Sequence, residues 1–251
     1  MRLRVKLGFC FLIKEGLNHV SLWSRFLAGS SPGSVGVYVH AKTSAPAPIL
    51  DGAWVDPFPL STAWGDLSLV VATQRLFMAA IDDGCDAMVL LSADMLPLQS
   101  FDWVQHFCCQ NRFSLQPREG LCERQILANT KRFQQVAPYF GLEVEQLRKQ
   151  NMFFVIQRHA AISVMNVARP DRFPLTQLAD EYYWINHLIR MKVDWLESNV
   201  LYCNPDPTRT QALNLHLTTD LLRRCRQEDY AFIRKISSLD PQVKRELEAC
   251  Y

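Results

Sequence analysis

Apolar residues recur along this chain with two spacings, and together they predict alternating strands and helices. Continuous apolar runs between polar residues predict strands at Leu7–Ile13, 35–40, 87–91, 152–156, 199–203 and 230–236. Apolar residues three and four positions apart predict helices at 19–27, 67–81, 101–107, 142–149, 160–167, 180–191, 218–226 and 241–250. Residues 114–135 are polar and mixed, and they receive no assignment. No repeat or linker interrupts the pattern, which predicts a single domain over residues 1–251.

Strands and helices alternate in the N-terminal part of the chain, and this order predicts an α/β fold. The expected architecture is a Rossmann-like parallel or mixed sheet that is flanked by helices. Ligands of such sheets bind at the carboxyl ends of the strands. His40 and Lys42 come at the end of the second predicted strand, and Ser92 and Asp94 follow the third. We therefore expect these four side chains at the ligand-binding edge.

Composition and charge narrow the classes of partner. The hydrophobic fraction of 49%, with 14 Phe and 6 Trp, is sufficient for a large core. The formal net charge of +2 gives no electrostatic reason to expect nucleic acid or a membrane surface as a partner. The eight cysteines contain no Cys-x-x-Cys pair, so they predict neither a zinc site nor a disulfide framework. Reduced thiols in a cytoplasmic protein are the simpler interpretation, with Cys108 and Cys109 as packing residues.

The N-terminus superficially resembles a signal peptide, because it is basic and then apolar. Basic residues alternate with apolar ones, however, and Lys14 and Glu15 end the run after about seven residues, too few to cross a bilayer. The pattern favours a buried first strand and no stable membrane insertion.

Two adjacent acids, Asp180 and Glu181, precede the aromatic run Tyr182-Tyr183-Trp184. This order predicts a helix start, with the acids at the positive end of the helix dipole and the aromatic residues turned inward. A carboxylate in the first turn that is partly buried by apolar neighbours has a raised proton affinity and can serve as a general base. The alternative is an ordinary acidic first turn of a helix.

Several segments, in this order, resemble the core-2/I-branching glycosyltransferases and their xylosyltransferase relatives, glycosyltransferase family 14. Each motif is short, but their shared order covers roughly residues 7 to 237. The segments are Val37-Tyr-Val-His40, Trp64-Gly-Asp-Leu-Ser-Leu-Val70, Leu90-Leu-Ser92 with Pro97-Leu98, the stretch 147–158, Asp180-Glu181-Tyr182, and Ala231-Phe-Ile-Arg-Lys-Ile236.

The resemblance implies a GT-A type fold and an inverting transfer of a sugar, GlcNAc or xylose, from a UDP-sugar donor to a hydroxyl of a glycan acceptor. By this resemblance Glu181 matches the catalytic base. The sequence contains no Asp-x-Asp motif, which is consistent with the metal-independent members of the family. In those members basic side chains near the C-terminus neutralise the leaving diphosphate. Lys235, with Arg234 beside it, matches that position, and Arg209 is a candidate for a second cation.

Other residues are expected at the substrates by position. His40, Lys42 and Ser92 are candidates for donor contacts. The candidates for sugar and acceptor contacts are Asp180, Asp94, Trp64, Arg148, Lys149 and Tyr182. The alternatives are a capping role for Asp180, a core or loop-anchoring position for Trp64, and plain helix surface for Arg148 and Lys149. No metal ligand or other cofactor is expected.

The chain also departs from the family pattern. Ala41-Lys42 stands where the family has an Asp soon after the strand-end His, and Leu147 and Phe153 replace two tryptophans. These departures motivate a second hypothesis, a catalytically inactive glycan- or nucleotide-binding protein on the same scaffold. Hydrolysis of the nucleotide-sugar is a third. The expected setting is the cytoplasm, as for a bacterial or viral enzyme.

Overall fold

The computed structural model of this chain describes residues 5–43, 46–116, 123–204 and 213–251. Within these ranges the strands are β1 (Leu7–Ile13), β2 (Val35–Ala41), β3 (Trp54–Val55), β4 (Ala87–Ser92), β5 (Leu96–Pro97), β6 (Arg112–Leu115), β7 (Gln150–Gln157), β8 (Leu196–Glu197), β9 (Leu201–Cys203), β10 (Leu215–Leu217), β11 (Phe232–Arg234) and β12 (Ile236–Leu239). The helices are α1 (Val20–Ala28), α2 (Leu67–Asp82), α3 (Phe101–Phe107), α4 (Glu123–Phe140), α5 (Arg158–Val167), α6 (Asp180–Met191), α7 (Thr219–Gln227) and α8 (Pro241–Cys250), with a short 3-10 helix at Pro170–Arg172.

A seven-stranded sheet in the order β3-β2-β1-β4-β7-β6-β8 forms the centre of the fold. β1 pairs in parallel with β2 and β4, and β2 pairs in parallel with β3. β7 is antiparallel to both β4 and β6, so the sheet is mixed. β1 and β4 are almost entirely buried, as expected for parallel strands covered by helices. The predicted α/β class, a Rossmann-like mixed sheet flanked by helices, is confirmed.

Alternate residues of β1 explain how helices cover both faces of the sheet. Phe9 and Phe11 point to one face, where their rings lie 5.9 and 5.0 Å from Trp23 of α1. Gly8 points to the other face, where a Cβ would lie 3.0 Å from Ala80 of α2. The missing side chain therefore allows α2 to pack directly on the sheet.

Helix α6 is held against the antiparallel half of the sheet. Trp184 lies 5.1 Å from Phe77 of α2 and 5.8 Å from Phe154 of β7, measured between ring centroids. The Gln150 side-chain oxygen accepts a hydrogen bond of 2.9 Å from the backbone N–H of Ile185. These contacts fix the position of the α6 N-terminus relative to the sheet.

The C-terminal part of the chain forms two small sheets beside the main one. In the first, the order is β5-β11-β9, so β11 lies between two strands that precede it in the chain. Phe232 of β11 stacks on Trp23 at 6.4 Å, which joins this sheet to the core. The second sheet pairs β10 with β12. After β11 the Ile236 N–H of β12 donates to the carbonyl of Asp94, in the turn between β4 and β5, over 3.0 Å.

The structure corrects two predictions and assigns part of a segment that had none. The predicted helix at 142–149 is wrong: these residues form turns and extended chain, in which the Arg148 N–H donates to the Asn186 side chain and the Lys149 carbonyl accepts from the Gln116 N–H. The single strand predicted at 230–236 is two strands, β11 and β12, because the chain changes sheets after Arg234. The unassigned segment 114–135 contains the end of β6 and most of α4.

No helix in the described part of the chain is long and apolar enough to cross a membrane. The cysteines of these residues are free thiols. Cys108 is buried, as expected of a packing residue, whereas its neighbour Cys109 is exposed.

Candidate active site

Two backbone turns place the start of α6 beside the start of α2. Gly65 and Leu178 both adopt left-handed backbone conformations, with φ of +67° and +64°. The Ala179 N–H donates to the Gly65 carbonyl over 3.1 Å, and a Cβ on Gly65 would lie 3.1 Å from the Leu178 nitrogen. A left-handed leucine is uncommon and costs backbone energy, so tertiary contacts hold it in place. The turns bring Asp66, the N-cap of α2, toward the first turn of α6.

Glu181 projects from this first turn into a largely buried polar setting. Its Oε2 accepts a hydrogen bond of 3.0 Å from the Gln116 side chain and lies 3.2 Å from the Lys149 ammonium. The side chains of Lys149 and Glu181 are 11% and 16% exposed, so little water screens the pair. Burial raises the pKa of Glu181, and the charge of Lys149 opposes that rise. Glu181 is therefore a carboxylate whose proton affinity depends on two named partners.

Asp180 lies deeper than Glu181 and is 7% exposed. Its Oδ1 has no hydrogen-bond partner among the described residues. Burial raises the pKa of Asp180 to about 7, and the charges of Glu181 and Asp66 add to the rise. The carboxyl group therefore carries a proton for much of the time at neutral pH. A buried and unsatisfied carboxyl oxygen is costly in a folded protein and marks this position as a candidate for ligand contact.

A second polar group forms just after the end of β4, where Arg234 at the end of β11 lies beside Asp94. The Ser92 hydroxyl donates to Asp94, whose other oxygen lies 3.5 Å from the Arg234 guanidinium. The guanidinium also lies over the Phe153 ring, 4.7 Å from its centroid. Lys235 follows directly and is half-buried. The predicted edge residues Ser92 and Asp94 are thus in contact with each other and with a predicted cation.

Cys203, at the end of β9, lies opposite Arg234 in the register of β9 and β11. Burial raises the pKa of its thiol to about 11. Arg234 and Lys235 lower that pKa, while Asp94 and Glu181 raise it. The thiol is therefore within electrostatic reach of both predicted cations and of the predicted base. One region of the molecule contains all of these charges.

At β2, the predicted edge residue His40 is buried within the protein. Its Nε2 accepts a hydrogen bond of 2.9 Å from the Leu60 N–H, and the same nitrogen lies 3.9 Å from Asp56. Asp56 in turn pairs through both oxygens with Arg75. Burial lowers the pKa of His40, which keeps the ring neutral and able to accept. The Nε2 atom is thus occupied by a hydrogen bond from the loop after β2. Lys42, two residues along the chain, is exposed.

The remaining predicted residues occupy varied positions. Trp64 is 57% exposed and so does not belong to the core. Tyr182 is fully buried behind Glu181, where its ring packs edge-on against Phe133 at 5.3 Å. The Arg148 guanidinium donates to the carbonyls of Glu145 and Leu147. Arg209 lies outside the described residues.

Gln116 and Cys203 also lie at the site, but no sequence pattern predicts either of them there. Gln116 lies in a stretch with no clear periodicity, and Cys203 ends a short apolar strand. Among the described residues, no group of three or more His, Cys, Asp or Glu is arranged to hold a metal ion.

A scan against protein-family models and a search of curated proteins found no match to this chain. The family resemblance therefore depends on the short motifs alone.

Proposed function

We propose that the protein is an inverting glycosyltransferase that moves a sugar, GlcNAc or xylose, from a UDP-sugar to a hydroxyl of a glycan acceptor. The observation that carries this proposal is the setting of Glu181. Its carboxylate is largely buried, has a raised pKa, and lies within electrostatic reach of a thiol that also responds to two cations. A base and an anion-binding group in one region are the two elements that this transfer requires.

Each step has a candidate group. The acceptor oxygen forms a bond to the anomeric carbon as its proton passes to a Glu181 oxygen. The bond from that carbon to the diphosphate oxygen breaks on the opposite side, and the electron pair leaves with UDP. Arg234 and Lys235 would balance the charge that develops on the diphosphate without a metal ion. Because Arg234 is shared with Asp94, Lys235 is the candidate with the fewer competing contacts.

A specific observation favours the second hypothesis, an inactive binding protein on this scaffold. Lys149 and Gln116 both occupy the same oxygen of Glu181, Oε2. An ion pair that never opens would leave Glu181 a structural anchor for the chain at Lys149. The site in that case would bind a sugar nucleotide and release it unchanged.

The decisive measurement is UDP release from a panel of UDP-sugars, with glycan acceptors present and with or without EDTA. The variant is Glu181→Gln, which preserves shape and removes the base. Glu248→Gln is the matched control, because Glu248 also faces a lysine, Lys244 at 3.9 Å, but lies on α8. We expect release from one donor that persists in EDTA, is retained by the control, and falls at least about a hundredfold in Glu181→Gln.

UDP binding by the Glu181→Gln variant is measured in parallel by calorimetry. Transfer lost with donor binding retained supports Glu181 as the base. Transfer that survives in the variant refutes the assignment. UDP binding without release of UDP from any donor supports the inactive scaffold.

A further inference from the structure

A groove of about 480 Å³ lies between α4 and the turns that precede β7. Its volume is within the range of pockets that enclose small organic ligands. Apolar side chains form much of the lining, among them Leu115, Ile126, Phe133 and Val144. Ile126 is 49% exposed, although it lies on the wall of a concavity. Partly exposed apolar residues gathered in a groove indicate a surface that binds apolar groups.

The groove is connected to the candidate base through two residues that line it. Gln116 and Lys149 line it, and both contact Glu181 Oε2. Asn129, also in the lining, accepts hydrogen bonds from Lys149 over 3.3 Å and from the Tyr182 hydroxyl over 3.5 Å. A molecule bound along α4 in this groove is therefore next to the two side chains that hold Glu181 Oε2.

The charges at the groove do not favour a strongly ionic ligand. Two basic side chains, Arg148 and Lys149, are matched by two acidic ones, Glu145 and Glu197. The Lys149 ammonium also pairs with Glu181, which lies outside the lining, so it is not free to bind an anion in the groove. An apolar group flanked by hydrogen-bonding groups matches this lining better than a phosphate or a carboxylate does.

We propose that the groove binds the apolar aglycone of a glycoside, so that the acceptor carries its sugar at Glu181 and an alkyl or aryl group against Leu115, Ile126 and Val144. This inference rests on the proposed function for the identity of the bound molecule as an acceptor. The groove itself is tested by binding, in the absence of donor and of turnover.

The probes are octyl and methyl β-galactosides and the corresponding N-acetylgalactosaminides, below the concentration at which micelles form. Dissociation constants are measured by calorimetry on the full chain. The groove variant carries Ile126→Ser and Val144→Ser. Its control carries Leu127→Ser and Val167→Ser, because those residues are 59% and 50% exposed and do not line the groove. All four positions are at least partly exposed, so both variants should fold.

We expect the octyl glycosides to bind at least about tenfold more tightly than the methyl glycosides to the wild type and to the control, since burial of two or more methylene groups is sufficient for that ratio. In the groove variant the ratio should fall by at least about threefold. No binding of octyl glycosides, no preference for them, or an equal loss in the control overturns the inference. A preference for octyl glycosides without sugar transfer would refute the proposed function and support the groove as a binding site. Sugar transfer without this preference would support the proposed function and refute the groove.

Discussion

The buried carboxyl of Asp180 should lower the free energy of unfolding at neutral and alkaline pH. In the unfolded chain this group loses its proton near its ordinary pKa of 3.8, whereas in the folded protein the pKa is about 7. That difference corresponds to about 4 kcal/mol of folding free energy once the pH exceeds both values. Part of it is shared with Glu181, whose charge also raises the pKa of Asp180, so a change of about 2 to 4 kcal/mol is expected.

The direction in which stability changes with pH depends on whether the folded or the unfolded state binds the proton. Between about pH 4 and about pH 7 the folded protein holds a proton on Asp180 that the unfolded chain has lost. Raising the pH through this interval therefore favours unfolding. The variant Asp180→Asn keeps the shape of the side chain and cannot ionise. Its stability relative to the wild type should increase by about 2 to 4 kcal/mol between pH 4.5 and pH 8.

Urea unfolding, followed by tryptophan fluorescence at pH 4.5, 6 and 8, measures this difference. Asp220→Asn is the control, because Asp220 also lies in the first turn of a helix, α7, but its side chain is 92% exposed. The control should change little with pH relative to the wild type. A difference between Asp180→Asn and the wild type that stays constant from pH 4.5 to pH 8 would refute the reasoning.

Two further predictions concern the elements around the site. Gly65→Ala should destabilise the protein by about 1 to 3 kcal/mol in urea unfolding. The loss should exceed that of Gly52→Ala, because both residues have φ near +70° but, of the two, only Gly65 has atoms within reach of an added Cβ. Equal losses would contradict this contact. Burial lowers the pKa of His187 from 6.5 to about 4. As the pH falls through this interval the unfolded chain gains the proton before the folded protein does. The free energy of unfolding of the wild type should therefore fall by about 3 kcal/mol relative to that of His187→Phe. Parallel pH dependence of those two proteins would exclude His187 as the cause.

The parallel half of the fold could be predicted because each strand carries its own signal. β1 and β4 are continuous apolar runs, and α2 between β2 and β4 has a clear apolar face. The segment 142–149 has helical spacing of apolar residues, yet its backbone groups bond instead to Gln116 and Asn186. Contacts with residues far away in the chain override local spacing, and no local pattern announces them.

The same limit applies to the site. The position of Glu181 at a helix start is visible in the sequence, because acids precede an aromatic run. Its partners are not, since Gln116 directly follows β6 and Lys149 directly precedes β7, and these two segments meet Glu181 only in the folded protein. The shift in the pKa of Asp180 depends on burial, which single-sequence patterns do not report.

The placement of β11 between β5 and β9 has a consequence for biosynthesis. The ribosome completes both neighbours before β11, so neither of them can pair with β11 until residues 232–234 emerge. Until then β5 and β9 have unpaired edges, and Asp94 lacks the guanidinium of Arg234. Asp94 and Glu181 are thus synthesised before Arg234, and the contact between Asp94 and Arg234 forms only after β11 has entered its sheet.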